Sequence, residues 1–320
     1  MDDLTQAESQ AEREERLRHG SSFGAAAAAY AEHRPGYAEA AVRWALEPVS
    51  VSSGGRTLFP PQTPPLTGGS PLRVLDLGAG TGKLTAILAG LGAEVTAVEP
   101  DPDMLAELRR DPIFSPKPTL VSSPKPTLVS SPKPTLVSSP KPTLGSVRSL
   151  PGSAEEIPLP DASVDAVLAG QALHWFDLDR AMPEIARVLT PGGVLAALWN
   201  VDDDRTGWVA TLAQISKGKS NVTLRRWQDG VARTRQERLI AAGSGLLGTP
   251  EVGEFENGQR QTVDSLLATI ATHSNFLVME EPDRTRLLAQ VGDFLRACPE
   301  TGAGEFVFPI VTVVLRATRK

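Results

Sequence analysis

Apolar positions in the middle of the chain fall into short continuous runs, separated by stretches whose apolar residues recur at helical spacing. Leu72 to Asp76 is one such run and ends in a glycine-rich turn, after which Lys83 to Leu91 carries helical spacing. Glu94 to Glu99 predicts a second strand, and Asp101 to about Arg110 a second helix. Val164 to Ala169 and Val194 to Trp199 read as buried strands, with a helix over roughly Leu178 to Leu189 and the turn Pro191-Gly192-Gly193 between them. Short apolar strands alternating with helices predict a parallel sheet covered on both faces. Glu305 to Arg316 is β-branched and strand-like, has no helix after it, and is expected to close the sheet edge.

The flanking segments read differently. Residues 1 to 20 carry no large apolar side chain except Leu4 and Leu17, which predicts an acidic tail, frayed or disordered, and places the folded domain at 21–320. From Phe23 to Leu46 an alanine-rich pattern with spaced aromatics predicts helix, a break at Arg34-Pro35-Gly36, and helix again. Residues 48–71 are crowded with Pro, Gly, Ser and Thr and are expected to form a surface loop. Asp202 to Pro250 is polar and helix-prone, with Trp208 and Trp227 as packing anchors, and is the natural place for a substrate-covering lid.

Within 115–146 the octapeptide SPKPTLVS occurs four times, from Ser115, Ser123, Ser131 and Ser139, with Gly145 in place of Val in the last copy. Two prolines in every eight residues forbid helix and disrupt sheet ladders, so the expectation is an extended, disordered, polyproline-like insertion. Joining the flanks across it restores a loop and third strand of ordinary length. Two readings follow: a tolerated expansion in a surface loop, since long insertions cost little, or a docking or phosphorylation segment offering its Ser-Pro and Pro-x-x-Leu patterns to a partner.

Composition narrows the function. The 320 residues are 41% hydrophobic, enough for a sizeable core. A net charge of −6 leaves no broad basic face for a phosphate-dominated grip, which argues against a nucleic-acid substrate. No apolar run reaches the roughly 18 residues that span a bilayer, and the acidic start lacks the features of a secretory signal. The single cysteine, Cys298, cannot staple the chain to itself. Together these predict a cytoplasmic protein.

The chemistry concentrates in VLDLGAGTGKLT, Val74 to Thr85. Three alternating glycines, Gly78, Gly80 and Gly82, let the chain turn sharply out of a strand and bring backbone close to a ligand. A phosphate-cradling P-loop would need glycine at 77 and Ser or Thr at 84, where Leu77 and Leu84 stand. The dinucleotide fingerprint would need glycine at 83, where Lys83 stands, and Asp76 would repel a pyrophosphate. An acidic residue just before the glycines suits a cationic ligand end, an ammonium or a sulfonium. Glu99, at the tip of the second strand, is placed to accept hydrogen bonds from two ribose hydroxyls. The pair describes a phosphate-free nucleoside with an amino-acid tail.

In these motifs, and in FGAAAAAYAEHRPGY, VTAVEPDPDML, GSAEEIPLPDASVDAVLAGQALHWF and EIARVLTPGGVLAALWN, the chain resembles the class I S-adenosylmethionine-dependent methyltransferases, especially the small-molecule branch of trans-aconitate and ubiquinone-biosynthesis type. The resemblance spans roughly Phe23 to Asn200. It implies a Rossmann-like doubly wound α/β fold, a seven-stranded sheet mostly parallel with an antiparallel last strand, S-adenosyl-L-methionine as cofactor and a small-molecule acceptor. By that similarity Asp76, Gly78, Ala79 and Gly80 line the methionine and ribose portion and Glu99 binds the ribose hydroxyls. Pro100 and Met104 pack near the adenine, with Ala154 and Glu155 at its other edge, while Gly170 and Gln171 lie close to the transferring methyl. The element holding Tyr30 and Arg34 covers the cofactor, with Arg34 pairing the methionine carboxylate. His174 follows the fourth strand at the ligand-binding end of the sheet and is the candidate catalytic base; its other reading is to orient its loop. Trp175 and Phe176 offer aromatic faces to a sulfonium, worth ~0.5–2 kcal/mol when desolvated. No metal ligand is assigned. The alternative function is a non-catalytic nucleoside-binding protein of the same fold that engages a partner through the repeat.

Overall fold

Runs of buried aliphatic residues become strands, and the stretches of helical spacing between them become helices. The computed structural model describes residues 27–52, 70–110, 145–216, 239, 242, 243 and 245–320. The N-terminal half holds α1 (Ala27–His33), α2 (Glu39–Ser52), β1 (Arg73–Leu77), α3 (Lys83–Gly90), β2 (Glu94–Glu99), α4 (Pro102–Arg110) and β3 (Val147–Pro151). There follow β4 (Val164–Gly170), α5 (Leu178–Val188), β5 (Leu189–Asp202) and α6 (Gly207–Ser216). The last part holds β6 (Glu251–Glu256), β7 (Gln259–Gln261), α7 (Val263–Ala271), α8 (Ser274–Leu277), α9 (Glu281–Ala297), β8 (Phe306–Phe308) and β9 (Ile310–Thr318).

Seven strands form one sheet in the order β3-β2-β1-β4-β5-β9-β6. The first five run parallel, and β9 is antiparallel to both of its neighbours. This is the doubly wound sheet with an antiparallel last strand that the motifs imply. Between β1 and β4 the chain reverses its direction of travel across the sheet, and the carboxyl ends of those strands frame a crevice where such folds bind ligands. At the other end of the same pair, buried Asp165 accepts from the backbone N–H of Arg73 at 2.9 Å and from its guanidinium at 2.8 Å, which fixes the register beneath the crevice.

Two apolar layers cover the sheet. On one face Met182 and Ile185 of α5 pack against Leu75, Val167 and Leu195. On the other, Leu46 of α2 and Leu84 and Leu88 of α3 pack against Val74, Ala166 and Val314. Central strands buried on both faces show no alternation, which is why β1 and β4 read as continuous apolar runs. A third core joins α6, α7, α8 and α9 to β8, with Trp208 against Phe306 and Phe308 at ring distances of 5.7 and 5.8 Å. Among the described residues no helix is long and apolar enough to cross a membrane.

Several expectations change. The C-terminal strand does not close the edge: β9 lies between β5 and β6, and the edge is β6, whose polar outer positions gave no strand signal. β9 is apolar on both faces because both are covered. The loop expected from Pro48 begins no earlier than residue 53, since α2 continues through Pro48 to Ser52. Pro191-Gly192-Gly193 is absorbed as an irregularity in β5, whose pairing with β4 jumps from Leu189 to Val194. The tail at 1–20, the rest of the 48–71 loop, Trp227 and nearly all of the repeat lie outside the described residues. The end of the repeat is described: a β-carbon at Gly145 would collide with the Ala93 carbonyl, and Ser146 accepts from Val95 N at 2.8 Å as the chain enters β3. That contact gives the departure from Val in the last copy a steric reason.

Candidate active site

The crevice opens into a cavity of about 600 Å³. Its floor is the turn between β1 and α3. Gly78 adopts a φ of 70°, and a β-carbon there would stand 2.7 Å from that of Ala172, so the turn can press against the loop after β4 only with glycine. Gly78 and Ala79 donate to the carbonyl of Val98, at 2.9 and 3.1 Å, which ties the turn to β2. All thirteen residues expected around a cofactor line this one cavity: Tyr30, Arg34, Asp76, Gly78, Ala79, Gly80, Glu99, Pro100, Met104, Ala154, Glu155, Gly170 and Gln171.

Two carboxylates set its electrostatics. Asp76 is 1% exposed; Thr85 donates to its Oδ2 at 2.5 Å, while its Oδ1 is buried with no hydrogen-bond partner. Burial pushes the Asp76 carboxyl up to about 7, with the neighbouring Glu99 adding to the rise and the Thr85 hydrogen bond opposing it. A buried acceptor without a donor is costly, and the cost disappears if a cation or N–H group from a ligand meets it. Glu99 accepts from Gly80 N at 2.8 Å and from Asp101 N at 3.0 Å, one bond to each oxygen, and each oxygen can accept another. Its pKa is raised by burial, with those two backbone bonds opposing the rise. Neighbouring carboxylates with unused acceptor capacity suit a ligand rich in donors and positive charge. They do not suit phosphate. These residues fit an amino-acid ammonium near Asp76 and hydroxyls near Glu99.

Met104 is buried in α4, its N–H donating to Asp101 Oδ1 at 3.0 Å, and Ala154 is 3% exposed. Glu155 also anchors the chain ahead of α5, where its Oε1 accepts from Asp177 N at 2.8 Å. Gln171 has a φ of 54°, a left-handed conformation rare outside glycine, held by Gln171 N to Leu198 O at 2.8 Å and Gln171 Nε2 to Asn200 O at 2.9 Å.

The element before the sheet folds over the cavity. Arg34 stacks on Tyr30, 5.0 Å from its ring centre, and donates through Nη2 to Thr272 O at 3.2 Å; its Nε is buried with no partner. Tyr37 also lines the cavity, its hydroxyl 2.5 Å from where a β-carbon on Gly170 would sit. Burial first, then Tyr30 and Asp76, hold that hydroxyl protonated well above its ordinary range.

His174 is the one expected site residue that the cavity does not include. It lies in the single turn Leu173–Trp175, stacks on Trp175 at 4.4 Å, and its Nδ1 accepts from the indole N–H of Trp199 at 3.3 Å. That bond uses Nδ1 as an acceptor and turns the ring toward β5. Trp175 and Phe176 do line the cavity. Asn200 and Arg180 line it too, although the sequence pattern singled out neither. Asn200 carried a usable signal, since it directly follows the buried apolar run Val194 to Trp199, at the side of the sheet where ligands bind. Arg180, on a polar helix face, carried none.

A family model described as a methyltransferase domain matches residues 75–122 and 126–197. An uncharacterized methyltransferase of Mycobacterium tuberculosis is 35% identical over 298 residues, covering 93% of this chain and 95% of its own length. A malonyl-(acyl-carrier protein) O-methyltransferase of Methylococcus capsulatus is 33% identical over 180 residues, 55% of this chain and 49% of its own. Among solved structures, a candidate type II methyltransferase from Anaeromyxobacter dehalogenans superposes with a TM-score of 0.55 at 25% identity, covering 89% of this chain and 97% of that one.

Proposed function

Because the chain belongs to the class I S-adenosylmethionine-dependent methyltransferases, we propose that its cavity binds S-adenosyl-L-methionine through Asp76 and Glu99 and serves a small-molecule acceptor in the cytoplasm. The observation that carries this reading is the buried, unpartnered Oδ1 of Asp76, across a tight glycine turn from the half-used carboxylate of Glu99. When bound, the cofactor supplies an electrophilic methyl on a positively charged sulfur.

The chain's own residues do the rest. Asp76 meets the cationic amino-acid end, and Glu99 takes the ribose hydroxyls. Pro100, Met104 and Ala154 make the apolar walls for the base, with Glu155 at its edge. Arg34, stacked on Tyr30, offers its unpartnered Nε to the carboxylate, a charge-assisted pairing. Gly78, Ala79 and Gly80 let backbone come close to the ligand, and Gly170 and Gln171 face the reacting end. Alignment of acceptor and methyl in the cavity supplies the catalysis, a contribution that reaches ~7–11 kcal/mol for well-oriented partners. A dedicated base is optional, and His174, bonded to Trp199, holds the loop beneath Trp175 and Phe176.

Titration with S-adenosylhomocysteine and with NAD tests the cofactor. Binding of the first alone is expected, and binding of NAD alone refutes the reading. Incubation of the protein with methyl-labelled donor and a cell extract, followed by mass spectrometry, tests the acceptor. Label should appear in a small metabolite; label found only in macromolecules refutes that half.

A further inference from the structure

Beside the cavity, a polar cluster that shares Asn200 with the cavity wall ties the covering element to the sheet. Asn200 on β5 and Thr312 on β9 stand directly opposite each other in the ladder, and Thr312 Oγ1 donates to Asn200 Oδ1 at 2.7 Å. Asn257, in the bend between β6 and β7, reaches over both. Its Nδ2 lies 2.8 Å from Gly36 O, 3.1 Å from Asn200 Oδ1 and 3.2 Å from Thr312 Oγ1. Gln259 Nε2 donates to Asn257 Oδ1 at 3.0 Å, which fixes which way the amide points. The carbonyl of Gly36 also accepts from Asn200 Nδ2 at 3.0 Å, so two amides take its two lone pairs. Two residues further along the bend, Ala38 N donates to Thr312 Oγ1 at 3.1 Å.

Gly36 lies between Arg34 and Tyr37, both of which line the cavity, whereas Asn257 does not. The helix before the bend, described over Ala27–His33, runs directly into it, with Arg34 N donating to Tyr30 O at 3.1 Å, so tethers on the bend also fix how that helix lies over the cavity. We propose that Asn257 is a positioning residue for methyl transfer: its side-chain amide clamps the Gly36 carbonyl against Asn200 and Thr312 and thereby keeps Arg34 on the cavity wall. This inference rests on the donor site proposed above.

The test compares the full chain with Asn257→Ala, with the near-isosteric Asn257→Asp, which keeps the oxygen but not the N–H donor, and with Arg34→Ala alone and combined with Asn257→Ala. S-adenosylhomocysteine is the probe, measured by calorimetry, with thermal midpoint and near-ultraviolet circular dichroism reporting the fold. Both Asn257 variants should bind about tenfold more weakly with the fold intact, and the double variant should bind within twofold of Arg34→Ala. Unchanged affinity in both Asn257 variants overturns the proposal, as do losses that multiply in the double variant, which would mean that Asn257 does not act through Arg34. If neither Asn257 variant folds, the residue is structural and the proposal also falls. Wild-type protein that fails to bind the probe refutes the donor site itself, which separates the two failures.

Discussion

Asp76 is where the chemistry of one side chain becomes a solution property. Its ordinary pKa of 3.8 is raised to about 7 by burial, so the ligand-free folded chain holds a proton that the unfolded chain releases. Below pH 3.8 both states carry it, and above about 7 neither does. Between those values folding takes up a proton, so stability falls as pH rises through the window, by up to on the order of 4 kcal/mol. A cationic ligand requires the ionised form, and its binding releases the proton. Affinity for S-adenosylhomocysteine should therefore rise as pH goes from about 6 to about 8, by close to tenfold per unit below the pKa, and level off above it. Asp76→Asn should flatten that profile, weaken binding about tenfold at the alkaline end, on the order of 1.4 kcal/mol, and raise the thermal midpoint of the ligand-free protein there. Calorimetry across pH with both proteins checks all three. The identity of this residue was legible because a carboxylate before three alternating glycines has few uses; its unpartnered oxygen was not, because that depends on where Thr85 points, in the helix beyond the turn.

At the scale of elements, the end of β4 governs the reacting side of the cavity. Gly170 and Gln171 pass under Tyr37 so closely that a methyl on Gly170 would stand 2.5 Å from the Tyr37 hydroxyl and 2.8 Å from its ring carbon Cζ. Overpacking of this kind costs ~1–3 kcal/mol, and here the covering bend would have to lift. Gly170→Ala should weaken S-adenosylhomocysteine binding about tenfold while far-ultraviolet circular dichroism stays that of the native sheet. A further prediction concerns His174, whose Nδ1 satisfies the indole N–H of a Trp199 only 3% exposed. His174→Ala should lower stability by ~1–2 kcal/mol, about the cost of deleting a buried hydrogen-bond acceptor, and leave the shape of the pH–rate profile unchanged; loss of the acidic limb of that profile, where a base becomes protonated, would restore it as a base. The sequence placed His174 at the right end of the sheet, but a side chain's direction is settled by its partner. That partner lies 25 residues further on, in a strand.

On the scale of the molecule, the parts that were legible are those fixed by local pattern and short range. The central parallel strands announced themselves as apolar runs because both of their faces are buried, and their order follows from short βα connections. What escaped was long range: β9 enters between β5 and β6, a choice made by two antiparallel ladders, and β6 is an edge whose residues need not be apolar. The cavity has the same character, since its walls come from α1, the β1 turn, β2, β4 and β5, and no local window contains them all. A ligand that bridges them stabilises the whole folded state. With S-adenosylhomocysteine at about 100 times its dissociation constant, binding contributes ~2.7 kcal/mol, and the thermal midpoint should rise by about 4 °C, at ~1.5 °C per kcal/mol for a chain of 320 residues. Removing residues 115–144 tests whether the repeat shares in that cooperation. Its remaining neighbours Gly145 and Ser146 already bond to Ala89 and Val95, so β3 keeps its anchor. Shortening the connection from α4 lowers the loop-closure cost by about 1.5 kcal/mol. The shortened protein should therefore melt no lower than the full chain and show the same ligand-induced rise, measured by scanning calorimetry with and without S-adenosylhomocysteine. A rise that vanishes on deletion would make the repeat part of the donor site.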